Sequence, residues 1–111
     1  IHEADSFKGE VGRNRLDKEV EQAIHEANVQ TIGAVAGTVD KDSFIRSAIT
    51  VSRLRAAYLK NVLALEVASD GQVPDETAIA DLKRRREAYE EALQGFGALR
   101  HAFKRGYLQL T

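Results

Sequence analysis

Apolar residues recur at helical spacing along most of this chain. From Leu16 they fall at Leu16, Val20, Ala23, Ile24 and Ala27, while Asp17, Lys18, Glu19, Glu21 and Glu26 take the other positions. One stripe of this kind predicts a first helix over residues 13–28. It would end at Asn28, a residue that tolerates left-handed backbone. The opening IHEADSFKGEVG has two glycines and no period, which predicts a flexible arm over residues 1–12.

The second stripe is wider. Phe44, Ile45, Ala48, Ile49, Val51, Ala56, Tyr58, Leu59, Val62, Leu63, Leu65 and Val67 wrap more than half of a helix over 42–68. That width suits an element contacted from two sides, with Arg46, Arg53 and Lys60 on the solvated remainder. Asp40 or Asp42 can cap its first turn. Asp-Gly at 70–71 favours a turn, and Pro74 disfavours helix at Val73, so a turn is predicted over Asp70–Pro74. A third helix, over 75–108, carries Leu82, Tyr89, Phe96, Phe103 and Leu110 at intervals of seven. Ile79, Leu93 and Tyr107 occupy an alternate seam, which Arg86 and Arg100 interrupt. Gly95 and Gly97 predict a kink or short break near 95–97, because each interior glycine costs on the order of 1 kcal/mol relative to Ala.

The segment Val29–Val39 mixes β-branched residues with Gly33 and Gly37 and fits neither class well. A loose connection is the first expectation. Continuation of the first helix with both glycines on one face, and a strand pairing with another copy, are the alternatives.

Together these elements predict an all-α fold: a short N-terminal helix and a long antiparallel helical hairpin, in one domain over residues 13–111. Three apolar stripes are enough for a three-helix bundle or a coiled-coil-like arrangement, and a third helix of about 33 residues outreaches a small bundle, so an oligomer is expected. Composition agrees. The 111 residues are 43% hydrophobic and 30% charged, which excludes wholesale disorder and fits one small domain. No apolar run reaches bilayer-spanning length, so no transmembrane segment is predicted. The absence of Cys excludes disulfides and thiolate metal sites, and is compatible with either redox compartment; a soluble, cytoplasmic chain is the expectation. The chain opens on Ile1 and has no Met, as a processed chain or a fragment would.

Net charge is -1, which gives no global attraction to nucleic acid or anionic lipid. Its distribution is uneven. Acids outnumber bases over residues 1–42, whereas residues 43–69 hold Arg46, Arg53, Arg55 and Lys60 against Glu66 alone. The segments would attract each other in a compact fold, or complementary partners in an open one.

Candidate chemistry is sparse. His25 has Glu21 one turn before it, but Gln22 occupies the position a Glu-x-x-His motif needs. It reads as a helix-surface histidine, and no metal or cofactor is predicted. His101 sits beside Arg100 and near Lys104 and Arg105 with no nucleophile next to it, and the acids are placed as a solvated face places them. Catalysis is therefore not expected. The bases Lys83, Arg84, Arg85, Arg86, Lys104 and Arg105 are candidates for nucleic-acid contact. Four consecutive bases on a helix point in four directions, however, and interleaved acids argue against a DNA-reading helix.

The expected role is protein–protein interaction, as an adaptor, a chaperone-like factor or a structural component of a larger assembly, including a homo-oligomer. The expected interface is Leu82, Arg86, Tyr89, Leu93, Phe96, Arg100, Phe103 and Tyr107. A weak nucleic-acid-binding or DNA-associated regulatory module is the alternative.

Overall fold

A computed structural model describes residues 2–111, with side chains from Lys8 onward. The elements are α1 (His2–Ala36), β1 (Thr38–Val39), α2 (Lys41–Ser69), α3 (Glu76–Lys104) and β2 (Gln109–Leu110). The chain is 84% helical, and the all-α expectation holds.

Helices α2 and α3 form the hairpin. Phe44, early in α2, meets Phe96 and Phe103, late in α3, with ring centroids 5.5 and 5.6 Å apart. Tyr58 stacks on Tyr89 at 6.3 Å. Early residues against late ones make the pair antiparallel. The turn opens with Asp70 in the left-handed region at φ 47°, and the Gln72 amide donates back to the Ser69 carbonyl at 2.9 Å. Asp75 then caps α3: its carboxylate accepts the free Ala78 amide at 2.8 Å, a bond usually worth about 1 kcal/mol.

The ends of the hairpin match the predicted 42–68 and 75 to within a residue or two. The seam differs from the predicted one. Leu82, Tyr89 and Phe96 are half-buried against α2 as their spacing implies, but their companions are Ala78, Ala92, Leu99 and Ala102. Ile79, Arg86, Leu93 and Arg100 are one position further round and are all exposed, Ile79 and Arg86 at the rim of a hollow shared with Tyr58 of α2. Small alanines let the helices approach, so the alternate seam follows the narrow side of α3 and not the side with larger apolar residues. Helix α3 runs without a break through Gly95-Phe96-Gly97, because Phe96 between the glycines and Ala92 and Leu99 on either side lie against α2.

Helix α3 also ends earlier than 108. Gly106 takes φ +79°, its amide donates to the Phe103 carbonyl at 3.0 Å, and the Tyr107 amide donates to Ala102 at 2.9 Å. This is the Schellman arrangement, in which a left-handed glycine satisfies the last carbonyls. Tyr107 and Leu110 therefore leave the helix and belong to a returning tail.

The largest difference is at the N-terminal side. Helix α1 spans 35 residues and takes in residues 2–12 of the predicted arm and most of the predicted linker; residue 1 lies outside the described residues. Once a helix is nucleated, each further residue gains a bond for little entropy. Thr31 fits by returning its hydroxyl to the Ala27 carbonyl at 2.8 Å. Gly37, at φ +61°, ends the helix by donating to Gly33 at 2.8 Å. The two residues after it form β1, and their partner is β2 of the same chain, not another copy. The pairing is parallel, Thr38 with Gln109 and Val39 with Leu110. The Thr111 amide extends it to Val39 at 3.0 Å, and the Lys41 amide to Thr111 at 3.2 Å.

The molecule is open and thin, 75 × 44 × 16 Å with a radius of gyration of 23.1 Å, against about 13 Å for a compact domain near this length. Its buried core, among the described residues, is Tyr107 at 8% and Leu108 at 4% exposure. The tail, and not a helix seam, is the most enclosed part of the protein.

Candidate functional site

Two features dominate the surface: a clasp that fixes α1, and apolar stripes that the clasp leaves uncovered. In the clasp, the Tyr107 ring lies 5.3 Å from the ring of His25. Arg105, foremost, and Asn28 stand close enough to the Tyr107 hydroxyl to hold that phenol below its usual range. The reverse effect raises the Arg105 guanidinium. His25, Asn28 and Ile32, the residues of α1 turned towards this region, are half-buried. They recur at helical spacing and define one face of α1.

Leu16, Val20, Ala23, Ile24 and Ala27 lie on a different face. All five are exposed, Leu16 at 60%. The stripe that predicts the helix is thus not the side that packs. A second stripe runs along α2, on the side away from α3. Ile45, Ile49, Ala56, Leu59, Leu63 and Val67 are exposed, Leu63 at 72% and Val67 at 81%. The wide apolar band of α2 is therefore two seams, one on α3 and one on solvent. Arg46, Arg53 and Lys60 border the outer seam at intervals of seven.

The exposed area can be weighed. The chain shows 8952 Å² of surface, against about 6,100 Å² expected of a compact monomer of its mass. The excess of about 2,900 Å² is the size of surface that obligate subunit interfaces bury, about 2,000–5,000 Å². That excess counts polar and apolar surface together, as an open, elongated shape exposes both.

The sequence-predicted residues divide into three groups. Leu82, Tyr89 and Phe96 are half-buried in the hairpin, with Phe103 beside them at its edge and 40% exposed. Tyr107 is in the clasp. Arg86, Leu93 and Arg100 are on the outer side of α3, where Arg86 pairs with Glu90 of its own helix at 3.9 Å. Of the basic run, Lys83 reaches Glu87 at 3.8 Å and Arg84 pairs with Asp81, so three of the four bases already have an acid on α3. Arg85 and Lys104 are exposed, and Arg105 is held by Tyr107.

Surface hollows are open; the largest of those described, about 430 Å³, is lined by Lys18, Glu21, Gln22, His25 and Arg105 beside the clasp. One of about 210 Å³ is lined by Tyr58, Ile79, Leu82, Lys83 and Arg86, below the usual size of a small-molecule site. Among the described residues, no group of three or more His, Asp or Glu could hold a metal ion, and no helix is long and apolar enough to cross a membrane.

Sequence reasoning missed the clasp. Its signal is two left-handed glycines, Gly37 and Gly106, each followed by a short extended run, Thr38-Val39 and Tyr107-Leu108-Gln109-Leu110. Each run is too short to register as a strand by period alone. No protein-family model, curated protein or solved structure matches the chain.

Proposed function

We propose that this chain is a protein–protein interaction module, acting as an adaptor or as a structural component of an assembly. It works by burying the outer stripe of α2 and the stripe of α1 against protein. The observation that supports this reading is the pair of exposed seams, each with large apolar residues at coiled-coil spacing and charge along its border. Leu82, Tyr89 and Phe96 use most of their apolar surface within the hairpin, so the interface is assigned to α1 and α2 and not to α3. The basic run on α3 is largely neutralised by its own helix, and nucleic-acid binding is the weaker alternative.

Photo-crosslinking in cells tests the two together. A benzophenone amino acid at Val20 or Leu59 should give discrete protein adducts, and at Arg85 none. Nucleic-acid adducts at Arg85 with nothing at Val20 or Leu59 would reverse the assignment.

A further inference from the structure

We propose that the partner is a second copy of this chain, with α1 of each copy laid antiparallel along the outer seam of α2 of the other. The inference rests on the interaction reading above and names its partner.

The register carries the argument. In α1 the seam positions are 16, 20, 23, 27, 30 and 34; in the outer face of α2 they are 45, 49, 52, 56, 59 and 63. Both sets alternate steps of four and three. Set antiparallel about the Gly37–Asp40 connection, they coincide at every layer. Leu16 meets Leu63, Val20 meets Leu59 and Ala23 meets Ala56, large against large and small against small. Nearer the connection, Ala27 meets Ser52 and Ala34 meets Ile45. Gln30 meets Ile49, so two of the six layers, this one and Ala27–Ser52, carry a polar side chain. The bordering charges agree as well: this register sets Glu26 beside Arg55 and Asp17 beside Lys60. All four are exposed and none forms an ion pair among the described residues. A shift by one heptad either way loses both large-against-large layers, because Leu16 and Val20 would then face Ala56 and Ser52, or Asp70 and Glu66.

The same register could in principle be satisfied by α1 folding back on its own α2. The clasp opposes that. Swinging α1 about Gly37 would lift His25 off Tyr107 and Asn28 off the Tyr107 hydroxyl, and would strain the β1–β2 pairing that starts one residue after the hinge. A second copy fills the seam with the clasp intact. Exchange of identical elements across a short hinge is a low-cost route to a dimer, and the excess surface is sufficient for a stable one.

The chain has no cysteine, so single thiols can be placed cleanly. Val20→Cys and Leu59→Cys proteins are prepared separately, mixed, allowed to exchange, and treated with a short bismaleimide. The expected product is a covalent dimer at twice the 12.3 kDa chain mass, absent from either protein alone. A mixture of Val20→Cys with Ile45→Cys, about 20 Å out of register at 1.5 Å per residue, should give at least tenfold less. No dimer in the first mixture, with an internal crosslink in the Val20→Cys/Leu59→Cys double variant, means that α1 closes on its own chain and overturns the proposal. If neither product forms but Val20 and Leu59 still give adducts to a different protein in cells, self-docking is wrong and the interaction reading stands. If no adduct forms in cells either, both fail.

Discussion

Replacing Leu108 by Ala should open the clasp while leaving the hairpin folded. Leu108 is the most enclosed side chain described, at 4% exposure, and lies in the tail between Tyr107 and the β1–β2 pairing. Burial of its side chain is worth about 2 kcal/mol in transfer energy, and an incompletely filled space adds to the loss. The tail is thin and can relax, so a total of about 3 kcal/mol is expected, near the low end for Leu→Ala in cores. At about 1.4 kcal/mol per factor of ten, the open form becomes about 100-fold more populated. Amide hydrogen exchange reads this directly. The Thr111 and Lys41 amides, which bond to Val39 and Thr111, should lose about 100-fold protection, whereas mid-helix amides of α2 and α3 should lose under tenfold. Equal loss across α2, α3 and the clasp would mean that the tail is the nucleus of one cooperative unit. No loss anywhere would mean that Leu108 is not a core residue, and the account of how α1 is positioned would fail.

Phe96→Ala should cost about 2 kcal/mol in denaturant titration, below the 3–5 of a fully buried ring because Phe96 is only half-buried against Phe44; a loss under 0.5 kcal/mol would place it outside the seam. Arg86→Ala and Arg86→Leu should each stay within about 0.5 kcal/mol of the parent, since the pair with Glu90 is exposed and on one helix; a large difference between them would restore Arg86 to a buried interface. Tyr107 should ionise below the usual phenol value of about 10 in an ultraviolet titration, and Arg105→Gln should move it back up, because Arg105 is the main cause of the shift. A depressed phenol favours the folded state above its unfolded pKa of about 10 and loses that contribution as pH falls through the lower folded value. The melting temperatures of the parent and Tyr107→Phe should therefore diverge as pH rises from about 8 towards 10.5, and a gap that narrows would contradict the assigned donors.

The hairpin was legible in the sequence because its signals are local: Pro74 and Asp75 mark a start, Asp70 an end, and Phe44 to Leu65 keep a period throughout. The choice between Ala92 and Leu93 for the second seam was not legible. Period alone places both within reach of α2, and closeness of approach, a property of the pair, selects the smaller. The extent of α1 was obscured by composition, since Gly33 and the β-branched residues of Val29–Val39 lower local helix propensity without outweighing propagation from the strong helix before them. The clasp joins Thr38 to Gln109, residues far apart in sequence, and no pattern within either segment encodes the pairing. For the candidate site, the breadth of the α2 band predicts contact from two sides, and the structure shows one side on α3 and the other exposed. The stripe on α1 is legible as a helix face, but a sequence pattern states that a face is apolar and not what covers it.

Mass in solution tests the central claim most directly. Light scattering of the full chain across a tenfold dilution in the micromolar range should give twice 12.3 kDa. Leu59→Glu, which places a charge in the outer seam of α2 opposite Val20, should give the single-chain mass with unchanged helical circular dichroism. A full-length chain that is monomeric at every concentration while fully helical, or a Leu59→Glu protein that remains a dimer, would contradict the account.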